Sequence, residues 1–336
     1  MSAPTPRRVA VIVVTYRTAA LSIDCLRSLE GERQDPSIWL HVFVVDNASG
    51  DAVLIEEAVR REAWGDWVTV LRAPRNGGFA YGNNIGIRAA SAAVRPHYFH
   101  LLNPDTRVTR RAIAELVEFL EARCDVGIAG SSFENDDGTE WPIAFRFPSL
   151  ASEIESGLQM GIISHVLQPW SVVRRMEGKP QQIDWGAGAS MMVRRELVDR
   201  IGGLDENYFL YFEETEFCWR ARRAGYPMWY VPPSRVIHIG GQSTKVTERN
   251  VALRRLPDYW FESRRRYFMS TKGIVGAAVI DAAALIATAL GTLRLWLQGR
   301  RDRIVPNLVR DLWRHSAMRK ANRHFERPRT HVEVGP

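Results

Sequence analysis

Val9-Ala-Val-Ile-Val-Val14 is a run of small and β-branched apolar residues ending in Thr15-Tyr16, and it reads as the first buried strand of a parallel sheet. A second run, 40–45, leads into Asp46-Asn47-Ala48-Ser49, and between the two Leu21, Cys25, Leu26 and Leu29 recur at helical spacing. Outward from there, 68–71, 98–102, 126–129, 189–193 and 226–231 read as strands, with helices expected over 82–94, 110–122, 194–201 and 213–224. Pro232-Pro233 is expected to break the last strand, and 131–183 reads as an irregular loop or subdomain over a cleft. The alternation predicts an α/β fold with a mainly parallel central sheet flanked by helices. In such sheets ligands bind at the C-terminal ends of strands, where the polar motifs fall.

Of the 336 residues 46% are apolar and 25% charged, which suits one large domain with an appended helical piece and excludes a disordered or fibrous chain. Cys25, Cys124 and Cys218 are odd in number and far apart. They exclude a disulfide framework and a thiolate metal site, and are expected to be buried small side chains in a reducing compartment. The N-terminus enters the first strand without the long apolar stretch of a secretory signal, so a cytoplasmic protein is expected. Residues 294–336 carry 11 Lys/Arg against 4 Asp/Glu, which accounts for the whole net charge of +7. That tail suits an anionic membrane surface. Nucleic acid is not expected as a partner, because neither an aromatic RNA module nor zinc-finger spacing accompanies the charge.

Five motifs carry candidate chemistry. Asp46 sets a carboxylate at a strand end, able to accept hydrogen bonds from a base or ribose hydroxyl, although Asp-Asn also opens ordinary turns. In Asn76-Gly-Gly-Phe-Ala-Tyr-Gly-Asn-Asn-Ile-Gly86 the glycines, Gly78 among them, permit close backbone approach. Asn83 and Asn84 bring carboxamides to a helix opening, a surface for a uridine- or thymidine-like ring and sugar hydroxyls. The spacing is not G-x-G-x-x-G after the first strand, which disfavours a dinucleotide fold. Asn103-Pro104-Asp105 presents a carboxylate on a stiffened turn, suited to a hard divalent cation, Mg2+ or Mn2+, completed by two phosphates. Glu213, Glu214 and Glu216 crowd three carboxylates together, which, if they face a cleft, raises at least one pKa and supplies a base, the alternative being a helix N-terminus enriched in acids. Glu216 can instead pair with Arg220 one turn on. His238, before Gly240-Gly241, becomes a candidate imidazole ligand beside Asp105.

From 257 onward the chain changes character. Aromatic residues alternate with Arg264-Arg265-Arg266, and 273–293 is almost entirely small and apolar, interrupted by Asp281. Three readings stay open for that run: a bilayer span, a helix lying at the membrane or in a membrane-facing hairpin with 294–313, and a helix packed on the protein. Homodimerisation through these helices is also left open, with no heptad to support it.

The ordered set Val13-Val14-Thr15-Tyr16, Val45-Asp46-Asn47-Ala48-Ser49, Asn76 to Gly86, Asn103-Pro104-Asp105, Gly186-Ala-Gly188, Phe212-Glu-Glu-Thr-Glu216 and His238 resembles the family 2 inverting glycosyltransferases of the GT-A fold, over roughly 7–270. Within them it most resembles the rhamnosyltransferase-like group of O-antigen, exopolysaccharide and cell-wall linker synthesis. The resemblance implies a nucleotide-diphospho-sugar donor, with dTDP-L-rhamnose first and a UDP- or GDP-hexose as the alternative. It also implies a polyprenyl-diphosphate-linked saccharide acceptor and an enzyme peripheral on the inner face of the cell membrane. Residues 1–256 would be the catalytic domain, with a nucleotide-binding half over about 7–130 and an acceptor half over 131–256, and 257–336 a helical extension.

By the same resemblance Thr15, Tyr16, Asp46, Asn47, Asn76, Gly78, Asn83 and Asn103 would serve the nucleotide side. Asp184, Trp185, Gly186, Ala187 and Gly188 would lie against the sugars, and Arg220 would hold the acidic segment or the diphosphate. Asp105 stands at the last carboxylate of the family's Asp-x-Asp motif, with Asn103 at the first. Where the family usually has Glu-Asp this chain has Glu213-Glu214, which assigns the base to Glu214 with Glu213 as the alternative. A non-catalytic nucleotide-sugar-binding protein is the reading from another class. A nucleotidyltransferase is disfavoured because Thr15-Tyr16-Arg17-Thr18 lacks glycine.

Overall fold

In the computed structural model, which describes residues 5–135, 138–141, 143–160, 167–174, 176–239 and 253–320, the opening run lies in strand β1 (Arg7–Thr15), fully buried from Val9 to Val13. It pairs in parallel with β2 (Ile38–Asp46) on one side and β4 (Tyr98–Leu102) on the other, and β3 (Val68–Arg72) extends the parallel set beyond β2. Thr15 aligns with Asp46 and Val13 with Leu102, so the polar residues after all three strands emerge at one edge. The helices between them are α1 (Ala19–Leu29), α2 (Asp51–Arg61), α3 (Gly78–Ala93) and, after β4 and the short β5 (Thr106–Val108), α4 (Ala112–Ala122). Helix α2 has no counterpart in the expected elements. Its stripe of Ala52, Ile55 and Ala58 is narrow and its start is set by Asp46 from outside the helix.

Beyond β4 the sheet changes sense. Its order is β3-β2-β1-β4-β8-β6-β9-β5, with β7 (Gln181–Ile183) also on β9. Of these strands, β8 (Ser190–Arg194) runs antiparallel to both β4 and β6 (Ile128–Glu134), and β5 and β7 run antiparallel to β9 (Met228–His238). Only β6 and β9 pair in parallel there. The parallel expectation therefore describes the first half of the sheet. The long connection between β6 and β8, residues 135–189, carries α5 (Leu150–Leu158), fixed by a Ser149–Ser152 capping box, and β7. Helices α6 (Arg195–Ile201) and α7 (Glu213–Arg223) complete this half.

Pro232-Pro233 does not end the last strand. The register on β6 passes from Ser131↔Val231 to Ser132↔Arg235, so the prolines sit in a bulge where no ladder donor is needed. The Ser234 hydroxyl, donating to the Ala112 carbonyl at 2.7 Å, pins that bulge and lets β9 run on to His238.

Helix α8 (Asp258–Leu297) is broken at Gly273, whose φ of 72° and ψ of 173° reverse the chain. The arms 258–272 and 274–297 fold back as a hairpin. Buried Arg264 on one arm meets buried Asp281 on the other at 2.5 Å and Glu153 of α5 at 2.6 Å, while the second Asp281 oxygen accepts the Ala317 N–H at 2.6 Å. Asp281, which interrupts the apolar run, is thus the buried partner that closes the hairpin. Helices α9 (Leu308–His315) and α10 (Ala317–Lys320) pack back on it. Cys25 and Cys218 are buried as expected. Cys124 is exposed, since it lies in the polar turn Arg123–Asp125 after α4.

Candidate active site

The first polar motifs build a frame. Asp46 accepts from the Ser49 N–H and hydroxyl with one oxygen, at 2.8 and 2.7 Å, and from the Gly50 and Ala52 N–H groups with the other. Burial opposes its ionisation, but these hydrogen bonds outweigh burial and hold the carboxyl below its ordinary value. The side chain is spent on the start of α2. Thr15, also buried, donates to Asp51 at 2.6 Å, and the same Asp51 oxygen accepts the Thr18 N–H. Asp51 is a clamp that no sequence pattern marked.

Asn47 bridges to the glycine motif, donating to the Asn76 side chain at 3.1 Å and to the Gly78 carbonyl at 3.0 Å, and accepting from the Gly77 N–H. Together with Tyr16, Thr18, Phe79, Asn103, Pro104, Phe209 and Tyr259 these residues line a cavity of about 370 Å³ at the sheet edge. Five expected site residues meet there: Tyr16, Asn47, Asn76, Gly78 and Asn103. Asn83 does not join them, for it is buried in α3 and donates to the Phe79 carbonyl, because the helix begins at Gly78 and turns that position inward. Phe209 and Tyr259 were not anticipated. Tyr259 comes from the hairpin, whose position over the cavity no local motif encodes.

Gly78 has φ of 86°, and a Cβ there would fall 1.9 Å from the Phe209 carbonyl oxygen. Gly78→Ala is expected to destabilise the fold by about 1–3 kcal/mol from backbone strain alone and to part the cavity walls. An unshifted melting temperature with unaltered nucleotide binding would contradict this account.

Next to that lining, the antiparallel register Thr106↔His238 brings Asp105 beside the end of β9. Asp105 Oδ1 lies 3.5 Å from His238 Nε2, and the Asp105 carbonyl accepts the Ile239 N–H. Asp105 is buried and His238 partly so, and the buried atoms Asp105 Oδ1 and His238 Nδ1 have no hydrogen-bond partner. The imidazole is held between Phe133 and Trp141, with ring centroids at 5.5 and 5.2 Å. One carboxylate oxygen and one imidazole nitrogen at this separation can share a single cation at about 2 Å each. Among the described residues no cluster of three or more His, Cys, Asp and Glu forms a full cage, so most ligands of such a cation must come from elsewhere.

After Phe209 and Leu210 of the lining, Tyr211 and Phe212 take left-handed backbone angles and lead into α7. Glu213 and Glu214 follow, each with a buried, unpartnered Oε2. Burial pushes Glu214 up to about 7. Burial, reinforced by the neighbouring Glu214 charge, pushes Glu213 well above the usual carboxylate range. The segment Gly186-Ala187-Gly188 passes here: a Cβ on Gly188 would lie 3.5 Å from the Phe79 ring and 3.7 Å from Glu214 Cβ. Just before it, Asp184 accepts the Phe147 N–H and pairs with Arg222, while Trp185 stacks on Phe145 with centroids at 4.5 Å and donates to the Arg146 carbonyl. These contacts hold the 143–147 segment.

Arg220 stands away from the cavity. Its guanidinium binds both Glu216 oxygens at 2.7 and 2.9 Å and donates to the Ile201 and Gly203 carbonyls. With these donors occupied it anchors the acidic helix rather than a diphosphate, and Glu216 becomes its structural partner.

The hairpin buttresses the same turn. Ser263 donates to the Leu210 carbonyl, Arg266 pairs with Asp205 at 2.7 Å, and Tyr267 packs on Phe212. The helical extension is therefore a wall of the cavity rather than a detached appendage.

A mixed α/β sheet of this order, with a cavity at the parallel strand ends and unpartnered buried carboxylate oxygens near its lining, defines a nucleotide-sugar transferase of the GT-A type. Residues 6–254 match the profile described as "Glycosyltransferase like family 2", and the chain belongs to that family. It is a catalytic glycosyltransferase. Among curated relatives, it is 27% identical to the N-acetylglucosaminyl-diphospho-decaprenol L-rhamnosyltransferase of Mycobacterium tuberculosis, over 70% of this chain and 76% of that one. It is 26% identical to the rhamnosyltransferase WbbL of Escherichia coli, over 59% and 73%. Among solved structures, the mannosyltransferase PcManGT of Pyrobaculum calidifontis, in complex with GDP-Man and Mn2+, superposes with a TM-score of 0.53 at 19% identity, covering 88% of this chain and 76% of that one. GalNAc-T7 with UDP, GalNAc and Mn2+ gives 0.56 at 15% identity, covering 87% and 55%. At these identities the two structures establish the shared fold.

Proposed function

We propose that the chain moves a hexosyl group from a nucleoside diphospho-sugar to an acceptor hydroxyl in a single inverting displacement, with Mg2+ or Mn2+ at Asp105 and His238 and with Glu214 as the base. The observation that carries this reading is the pair of unpartnered buried groups flanking one cavity: Asp105 and His238 beside Asn103-Pro104, and Glu214 beside Phe79. Bound there, the cation would neutralise charge on the departing diphosphate. Asn47 and Asn76, tied to each other, form a fixed floor for the nucleotide, and the exposed Tyr16 ring offers a face to its base. Glu214 Oε2 accepts the proton of the attacking hydroxyl. Glu213 beside it is raised by burial and by the neighbouring Glu214 charge, which disfavours two adjacent buried charges.

A hexose on GDP or UDP is the preferred donor, supported by the nucleotides held in the two superposed structures. The second reading is dTDP-L-rhamnose, favoured by the rhamnosyltransferases among the sequence relatives. The decaprenol-linked substrate in one relative's name supports a polyprenyl-diphosphate-linked saccharide as acceptor. Calorimetry with GDP-, UDP- and dTDP-sugars, with and without Mn2+, tests the donor. Metal-dependent binding of a GDP- or UDP-sugar is expected; exclusive binding of dTDP-rhamnose would replace that choice with the second reading. Binding of none, in either condition, would sink the donor assignment of the cavity.

A further inference from the structure

We propose that the outer face of the 274–297 arm is a docking surface for an anionic bilayer, on which the protein lies without crossing it. Val275, Val279, Ile286, Leu290, Leu293 and Leu297 are all at least half exposed, Val275 to 77%. At 100° per residue these six fall within an arc of about 60°, and they extend over about 33 Å of helix. The result is a straight apolar stripe on one side of the arm, in a helix whose most apolar 18-residue window has a mean hydropathy of 2.1 and is only 33% buried.

The opposite side is committed to protein. Ala277, Ile280, Asp281, Ala284, Ala287 and Gly291 are buried against the first arm and α5. A crossing helix would expose Asp281 to lipid or break its pairing with Arg264, which leaves a buried charge uncompensated. Charge identifies the partner. Exposed Lys272 stands at one end of the stripe and exposed Arg300, Arg301 and Arg303 at the other. Two copies joined stripe to stripe, in either direction, would set cation against cation, whereas a surface of anionic headgroups complements both ends at once. Exposed Trp296, within the stripe's length, suits headgroup depth. Because Tyr259 of the first arm lines the cavity, docking holds the cavity at a fixed orientation to the lipid surface. The proposal does not depend on which donor the cavity takes.

Flotation of the full-length protein with phosphatidylcholine vesicles, with and without phosphatidylglycerol, tests it. The parent is expected to float with both and more strongly with phosphatidylglycerol. The triple variant Val275→Ser, Ile286→Ser, Leu293→Ser is expected to partition at least about tenfold less, with an unchanged melting temperature, since each side chain loses apolar burial in lipid alone. Arg300→Glu with Arg301→Glu should weaken only the phosphatidylglycerol-dependent part, by about tenfold or more. Equal flotation of parent and triple variant would overturn the proposal, as would no flotation of the parent with either vesicle. Retention that survives alkaline extraction would show a crossing helix and overturn it. So would a parent that is dimeric without vesicle binding and becomes monomeric on the triple substitution.

Discussion

Glu214→Gln is expected to lower transfer by about 10²–10⁴-fold while leaving donor binding close to that of the parent, because the amide cannot take the hydroxyl proton that the carboxylate accepts. The pH profile of the parent carries the same signature. A base whose value lies at about 7 is neutral and idle below that pH, so turnover should rise with pH through the neutral range and flatten above it. The variant should lose this acid limb. Stability should move the other way. A carboxyl whose folded value is raised from 4.5 to about 7 stabilises the fold below pH 4.5 and loses that contribution as pH rises to about 7, so Glu214→Gln should melt no earlier than the parent at pH 8. This separates a catalytic defect from a folding defect. Near-parent turnover in Glu214→Gln, combined with loss in Glu213→Gln, would transfer the role to Glu213.

Asp105→Ala and His238→Ala are expected to abolish the Mn2+-dependent part of donor binding and to reduce transfer by several orders of magnitude. In each variant one of two protein donors is removed from a site that has no third His, Cys, Asp or Glu close by among the described residues. Titration with nucleoside diphosphate, with and without Mn2+, reads the effect directly. The metal-free affinity should be retained, since the Asn47–Asn76–Gly78 frame does not touch either residue. A Mn2+ enhancement unchanged by Asp105→Ala would refute its role as ligand. His238→Ala also vacates the space between Phe133 and Trp141, so His238→Gln, which fills more of it, should accompany the alanine variant.

Seven strands were legible as short apolar runs, whereas β5 and β7 were not, since each is three residues long and is defined by its pairing on β9. Val9–Val13 is apolar on both faces and 98–102 is so apart from His100, which is buried against Ser190, as suits central strands, and the helices between them repeat at three and four residues. The polar tips were legible for the same reason, since a strand's end is a local event. What a tip does was less so. Asp46 and Thr15 look like ligand contacts in sequence, yet Ser49, Gly50, Ala52 and Asp51 consume their hydrogen-bonding capacity. Asn83 differs from its expected place on similar grounds, because a side chain's chemistry does not say which way its helix turns it, while of the two roles open to Arg220 the structure takes the hold on the acidic helix.

The sequence by itself determined the α/β class, the strand ends that carry the chemistry, and the crowding of Glu213, Glu214 and Glu216, for all of these follow from neighbours within a few residues. Only the tertiary structure decided that the sheet turns antiparallel after β4, how the β5–β9 register brings the expected partners Asp105 and His238 to 3.5 Å, and that Tyr259 closes a cavity begun by Tyr16. It also decided that Asp281 is a buried partner of Arg264 rather than a flaw in a spanning helix. The physical reason is common to all four. Each depends on which distant groups share a buried space, where an unpaired charge or donor is heavily penalised, and such pairings leave no period in the chain.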